Sequence, residues 1–148
     1  MRYIFIIPLL LLAGLVGIGF FLLSSQVAIL TPEEAAISEA VIRYYSEGNL
    51  GSLGNTDVFV SVLGKDPPAE LSQRFSRPIF KGSCFCVNVG ARIFIDKLKI
   101  TDPDQAEASA GIEHEMSRFG SSALSYHRRL LTRQAGKWIV RSAGHVIN

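Results

Sequence analysis

Cysteine, histidine and net charge are all scarce in this chain. Two cysteines among 148 residues exclude a disulfide framework, and three histidines exclude a metal-rich module. Fifteen Lys and Arg against thirteen Asp and Glu leave a net charge of +2. That balance excludes a polybasic arm, an acidic tail and a disordered polyelectrolyte. No G-x-S-x-G, H-E-x-x-H or P-loop occurs, and Glu113-His114-Glu115 is not a metalloprotease pattern. Hydrolase and nucleotide readings therefore fall away, and no cofactor is implied. Nucleic acid is not an expected partner either, since no recognition motif or basic surface with interleaved aromatics is present. The length permits one compact domain.

Charge is scarcest at the start, where Arg2 is the single charged residue among the first 30. Residues 3–23 form an uninterrupted run of 21 uncharged, mostly apolar side chains. At about 1.5 Å per residue such a helix crosses a hydrocarbon layer about 30 Å thick. A cleaved secretory signal is the rival reading. Its apolar core usually runs about 7–15 residues, however, and residues 24–28 place Gln26 where cleavage wants a small side chain. Both readings export the remainder of the chain, with Arg2 held in the cytoplasm and Glu33 and Glu34 beyond the far side. The chain thus divides into 1–30, a transmembrane anchor or signal segment, and 31–148, an extracytoplasmic domain. The expected place is the periplasmic side of a bacterial inner membrane, or outside the cell if residues 1–28 are removed.

Thr31-Pro32-Glu33-Glu34 is a dense helix start: Thr31 caps, Pro32 suits the first turn and Glu34 closes a capping box. Ala36, Ala40, Val41 and Tyr44 then recur at helical spacing, with Ile37 and Tyr45 alongside, and Gly48 stops the helix. Residues 57–63 are rich in β-branched side chains and predict a strand. Lys65-Asp66-Pro67-Pro68 leads into a short helix over 69–75. Further strands are expected over 80–89, 93–100, 106–116, 122–133 and 138–146, the last two joined by the turn Gln134-Ala135-Gly136-Lys137. In the strand over 106–116, Ala106, Ala108, Ala110, Ile112, His114 and Met116 share one face, and Glu107, Ser109, Glu113 and Glu115 the other.

The order helix, strand, helix, antiparallel meander resembles the NTF2-like superfamily. So do Tyr44-Tyr45-Ser46-Glu47-Gly48-Asn49-Leu50 at the end of the first helix and Gly136-Lys137-Trp138-Ile139-Val140 near the close. The resemblance covers roughly residues 32–148. It implies an α+β cone in which helices pack on a curved antiparallel sheet around an internal cavity. The usual second helix is shortened here to 51–56. Gly64-Lys65-Asp66-Pro67-Pro68-Ala69-Glu70-Leu71 and the segment at Ser83 are similar to small exported bacterial proteins of unknown function. The fold hosts isomerases, dehydratases, ligand carriers and non-catalytic assembly subunits, so it does not by itself assign an activity. One anchor joined to an exported domain also resembles the inner-membrane scaffold subunit of type IV secretion systems, although this chain is shorter and lacks a long cytoplasmic tail.

Polar residues on apolar strand faces supply the candidate site. Phe94, Asp96, Leu98 and Ile100 fall in line, as do Ile112, His114 and Met116, and Leu124, Tyr126, Arg128 and Leu130. If these faces are concave and adjacent, Asp96 and His114 form an acid–base pair, with Tyr126 and Arg128 binding a ligand. A structural Asp96–Arg128 ion pair is the plainer reading, and one bulge beside Lys97 would turn Asp96 to solvent. Cys84 and Cys86 form a C-x-C whose side chains would share a side of the 80–89 strand. Strain opposes a disulfide between them, leaving small-hydrophobe packing, thiol exchange, or metal binding with His114 or His127. Residues 118–148 carry six basic and no acidic side chains, and 31–70 are mainly acidic. Such polarity can steer acidic partners, anionic headgroups or self-association.

The leading expectation is a non-catalytic assembly module held in the membrane through residues 3–23, joined to a protein partner or homodimer through an open sheet face. The alternative is a pocket that binds or isomerises a small apolar ligand through Asp96 and His114.

Overall fold

A computed structural model describes residues 26–47, 53, 56–86, 89–115 and 122–141. The apolar run at 3–23, the stop at Gly48, most of the short helix at 51–56, Met116 and the last strand beyond Arg141 lie outside them.

Helix α1 (Pro32–Glu47) begins with the expected capping box. Glu34 N–H donates to Thr31 Oγ1 over 3.2 Å, while Thr31 N–H donates to Glu34 Oε2 over 2.8 Å. The buried stripe is displaced from the expected one. Ile37, Val41 and Tyr45 are buried together with Ala35, Ser38, Ile42 and Ser46, whereas Ala36, Ala40 and Tyr44 are half-buried. Small serines at 38 and 46 let the helix lie close on the sheet, and their Oγ atoms find no hydrogen-bond partner there.

Strand β1 (Asp57–Val62) is followed by the short helix α2 (Ala69–Ser72), then β2 (Ile79–Lys81) and a 3₁₀ turn, Gly82–Cys84. The expected 80–89 strand is therefore cut to its first residues, so alternation does not place Cys84 and Cys86 on one side. Strands β3 (Gly90–Asp102), β4 (Gln105–Glu115), β5 (Ser122–Gln134) and β6 (Lys137–Arg141) complete a curled six-stranded sheet in the order β2-β1-β3-β4-β5-β6. The expected all-antiparallel meander holds from β3 to β6. β1, however, runs parallel to both neighbours, with Val60 opposite Lys81 and Ile93, so the sheet is mixed. The class is α+β, with one long helix on one face. Among the described residues no helix is long and apolar enough to cross a membrane.

Beneath α1 the sheet presents Val58, Val60, Val62, Ile93, Ile95, Ala106, Ala108, Ala110, Ile112 and Leu131, all buried. The alanines of β4 leave room for the helix and for large neighbours from β5. The other face lies open over β4 to β6. On its β1 side it is covered by residues 82–86, where Phe85 meets Phe59 at 5.6 Å between ring centroids.

Candidate functional site

Register decides which side chains meet. In β3, Ile95 pairs with Ala110 and Lys97 with Ser109, so Asp96 is the extra residue of a β-bulge. Phe94 therefore keeps to the open face, Leu98 returns to the helix-covered face opposite Ala108, and the expected Phe94-Asp96-Leu98-Ile100 line is broken. Asp96 is exposed and opens onto a cavity on the open face, beside Phe94. His114 stands on the opposite, helix-covered face, in line with Ala110 and Ile112, with a buried Nδ1 that has no partner among the described residues. The structure therefore does not bring Asp96 and His114 together.

Tyr126 and Arg128 both lie on the open face. Tyr126 is 49% exposed and stacks on Phe94 at 5.9 Å between centroids and 10° between planes. The two rings meet across Gly111, which pairs with both residues and has no side chain to part them. A Cβ there would come 2.5 Å from Phe94 Cζ and run into the Ser125 carbonyl oxygen. Arg128 pairs with Glu107 rather than Asp96, through its Nε and Nη2. The hydrogen bonds and charge of Arg128 hold the Glu107 carboxyl below its usual range. Arg92 likewise donates to Glu113 over 2.6 Å and lies over the rings of Phe85 and Phe94 at 5.1 and 5.9 Å.

The cavity, about 620 Å³, lies between these strands and the turn after β1. Lys65, Asp66 and Gln26 form one side, Phe94, Asp96 and Leu124 the other. Asp66 fixes this corner. Only 4% exposed, it accepts Ser83 N–H at 2.9 Å and Ser83 Oγ–H at 2.8 Å. Its backbone holds residues 26–28 alongside: Asp66 N–H donates to Gln26 O over 2.7 Å, and Ala28 N–H to Asp66 O over 2.8 Å. Two segments that stood out separately in the sequence, Gly64–Leu71 and Ser83, thus meet at one carboxylate.

Sequence alternation did not single out Arg129, a buried basic residue on the helix-covered face. It is 6% exposed, and among the described residues no carboxylate pairs with it. Its Nε–H donates to Tyr45 Oη over 3.0 Å, and its guanidinium lies over the Tyr44 and Tyr45 rings at 4.7 and 5.2 Å. Tyr45 Oη in turn donates to the Ala110 carbonyl over 3.1 Å. The signal available was the row of alanines in β4, opposite which a large residue must sit. Cys84 and Cys86 are exposed free thiols, and no group of three metal-ligating side chains occurs among the described residues. No family model, curated protein or solved structure matches the chain.

Proposed function

We propose that the chain is a membrane-tethered, extracytoplasmic module of NTF2-like fold that works by protein contact, with its open sheet face taking a second copy. The observation that carries this reading is the apolar strip on that face. Leu124 is 65% exposed, Tyr126 49%, Leu130 43% and Ile139 43%, all on adjoining strands. Two arginines of the face are neutralised within one copy, Arg92 by Glu113 and Arg128 by Glu107, whereas Arg141 at its edge bonds Thr132 and meets no carboxylate among the described residues. A proton relay from Asp96 to His114 finds no support, since a sheet separates them.

The test is crosslinking of the full chain in membranes, beside its Leu124→Asp and Tyr126→Asp variants. Wild type should give a dimer, and each variant should lose it while keeping its circular-dichroism melt. A dimer that survives both substitutions, or a wild-type chain that never crosslinks to itself, sinks the proposal.

A further inference from the structure

The cavity on the open face is lined by two charged side chains that no protein group among the described residues pairs with. Arg92 is engaged by Glu113, and Asp66 accepts two hydrogen bonds from Ser83. Lys65 and Asp96 remain. Both are exposed, both line the cavity, and among the described residues neither has an ion-pair or hydrogen-bonding side-chain partner. They do not pair with each other either. One free ammonium and one free carboxylate in a single cavity are matched by a ligand bearing both charges, its anion toward Lys65 and its cation toward Asp96. Phe94 and Leu124 give the same cavity an apolar wall, which suits a molecule that also carries hydrocarbon.

The position of the cavity narrows the source. Gln26, one of its lining residues, is pinned by Asp66. It lies three positions beyond Leu23, the last residue of the apolar run. Three residues of extended chain reach about 10 Å at most. The polar layer on each side of a bilayer is about 5–8 Å deep. With residues 3–23 across the membrane, the cavity wall at Gln26 therefore stands at or beside the headgroups. From these observations we propose that the cavity binds the headgroup of a zwitterionic phospholipid that bears a primary ammonium. Lys65 meets the phosphate, Asp96 the ammonium, and Phe94 and Leu124 the first part of the glycerol and acyl region. The inference rests on residues 3–23 serving as a membrane anchor. It adds lipid recognition at the edge of the face that takes the second copy, with Leu124 common to both.

The test uses the full chain in bilayers of phosphatidylcholine containing phosphatidylethanolamine or phosphatidylglycerol, with native mass spectrometry of the lipid retained. The chain should retain phosphatidylethanolamine in preference to both other lipids. Lys65→Gln and Asp96→Asn should each cut that retention about tenfold, the loss of one charge-assisted contact. Both residues are exposed, so these variants keep their fold, which a thermal melt checks. Equal retention of all three lipids, a preference for phosphatidylglycerol, or retention unchanged in both variants overturns the proposal. So does competition by free phosphoethanolamine as strong as that by the lipid, which would assign the cavity to a soluble ligand. Alkaline carbonate extraction separates the anchor from the lipid preference. A chain released by carbonate ends the anchor reading and this inference together. A chain that stays in the membrane without the lipid preference ends this inference alone.

Discussion

In the interior the Arg129 guanidinium is met by two tyrosines where a carboxylate is the usual partner. Tyr45 Oη accepts its Nε–H, and the faces of Tyr44 and Tyr45 lie against the guanidinium. Burial raises the Tyr45 hydroxyl above its ordinary value of 10.0, against the opposing pull of the Arg129 hydrogen bond and charge. As pH climbs past about 10 the unfolded chain therefore loses this proton before the folded chain does, and stability falls through that range. Tyr45→Phe should remove that slope, which denaturant midpoints taken across alkaline pH will show. At neutral pH the same substitution should destabilise the domain by about 1–3 kcal/mol, since it strands the Arg129 Nε–H and the Ala110 carbonyl. Asp66→Asn should likewise weaken the domain by about 1–3 kcal/mol, because the two Ser83 groups bond different carboxylate oxygens and an amide replaces one of those oxygens with an NH2 that cannot accept. Asp66 and Ser83 were legible as separate segments but not as partners. In β5, leucines at 124 and 130 made the 124-126-128-130 line read as interior. Alternation gives two faces without saying which one the helix covers, and only pairing with Ala106 and Ala108 puts Leu131 and Arg129 inside.

Among the elements, those set by local chemistry are the ones the sequence makes plain. Thr31 and Glu34 close the first turn of α1 whatever lies above it, and Gln134-Ala135-Gly136-Lys137 turns because two residues with positive φ suit the twist of a hairpin. Ala135 pays for that turn with a φ of 48°, beside Gly136 at 76°. Ala135→Asn should therefore stabilise the domain by about 0.5–1 kcal/mol, read from urea unfolding, since asparagine enters the left-handed region more readily. A bulge turning Asp96 to solvent was one alternative the sequence offered, but choosing it, like the parallel pairing of β1, depends on partners distant in sequence. So does the early end of β2: residues 82–86 leave the sheet to cover Phe59, which no property of 80–89 alone foretells. Gly111 shows the same dependence. Its neighbours in sequence favour a strand, yet the missing side chain is what allows Phe94 and Tyr126 to stack. Gly111→Ala should cost about 1–3 kcal/mol, more than a change at an exposed strand position, and should shift the near-ultraviolet signal of Tyr126.

One ion pair among the described residues joins the acidic segment 31–70 to the basic segment 118–148, at Glu33 and Arg133. Acidic residues of the N-terminal half meet basic ones from farther along: Glu39 holds Arg43 and Arg74, and Glu33 pairs with Arg133 while accepting Trp138 Nε1–H over 2.7 Å. The start of α1 is thereby fastened to the β5–β6 hairpin, whose Trp138 is 8% exposed under the Arg133 guanidinium at 4.8 Å. That one contact serves closure of the sheet under its helix. Trp138 is the single tryptophan of the chain, so its emission reports this junction alone. Glu33→Gln keeps an acceptor for the indole but removes the ion pair. Because both charged side chains are about one-third exposed, its cost should stay below about 1 kcal/mol, and added salt should shrink the difference from wild type. Glu33→Ala removes the indole acceptor as well. It should cost about 1 kcal/mol more and shift Trp138 emission before the global transition. Equal stability of all three chains at low salt, with identical emission, would mean that the hairpin is held by the apolar contacts of Trp138 alone.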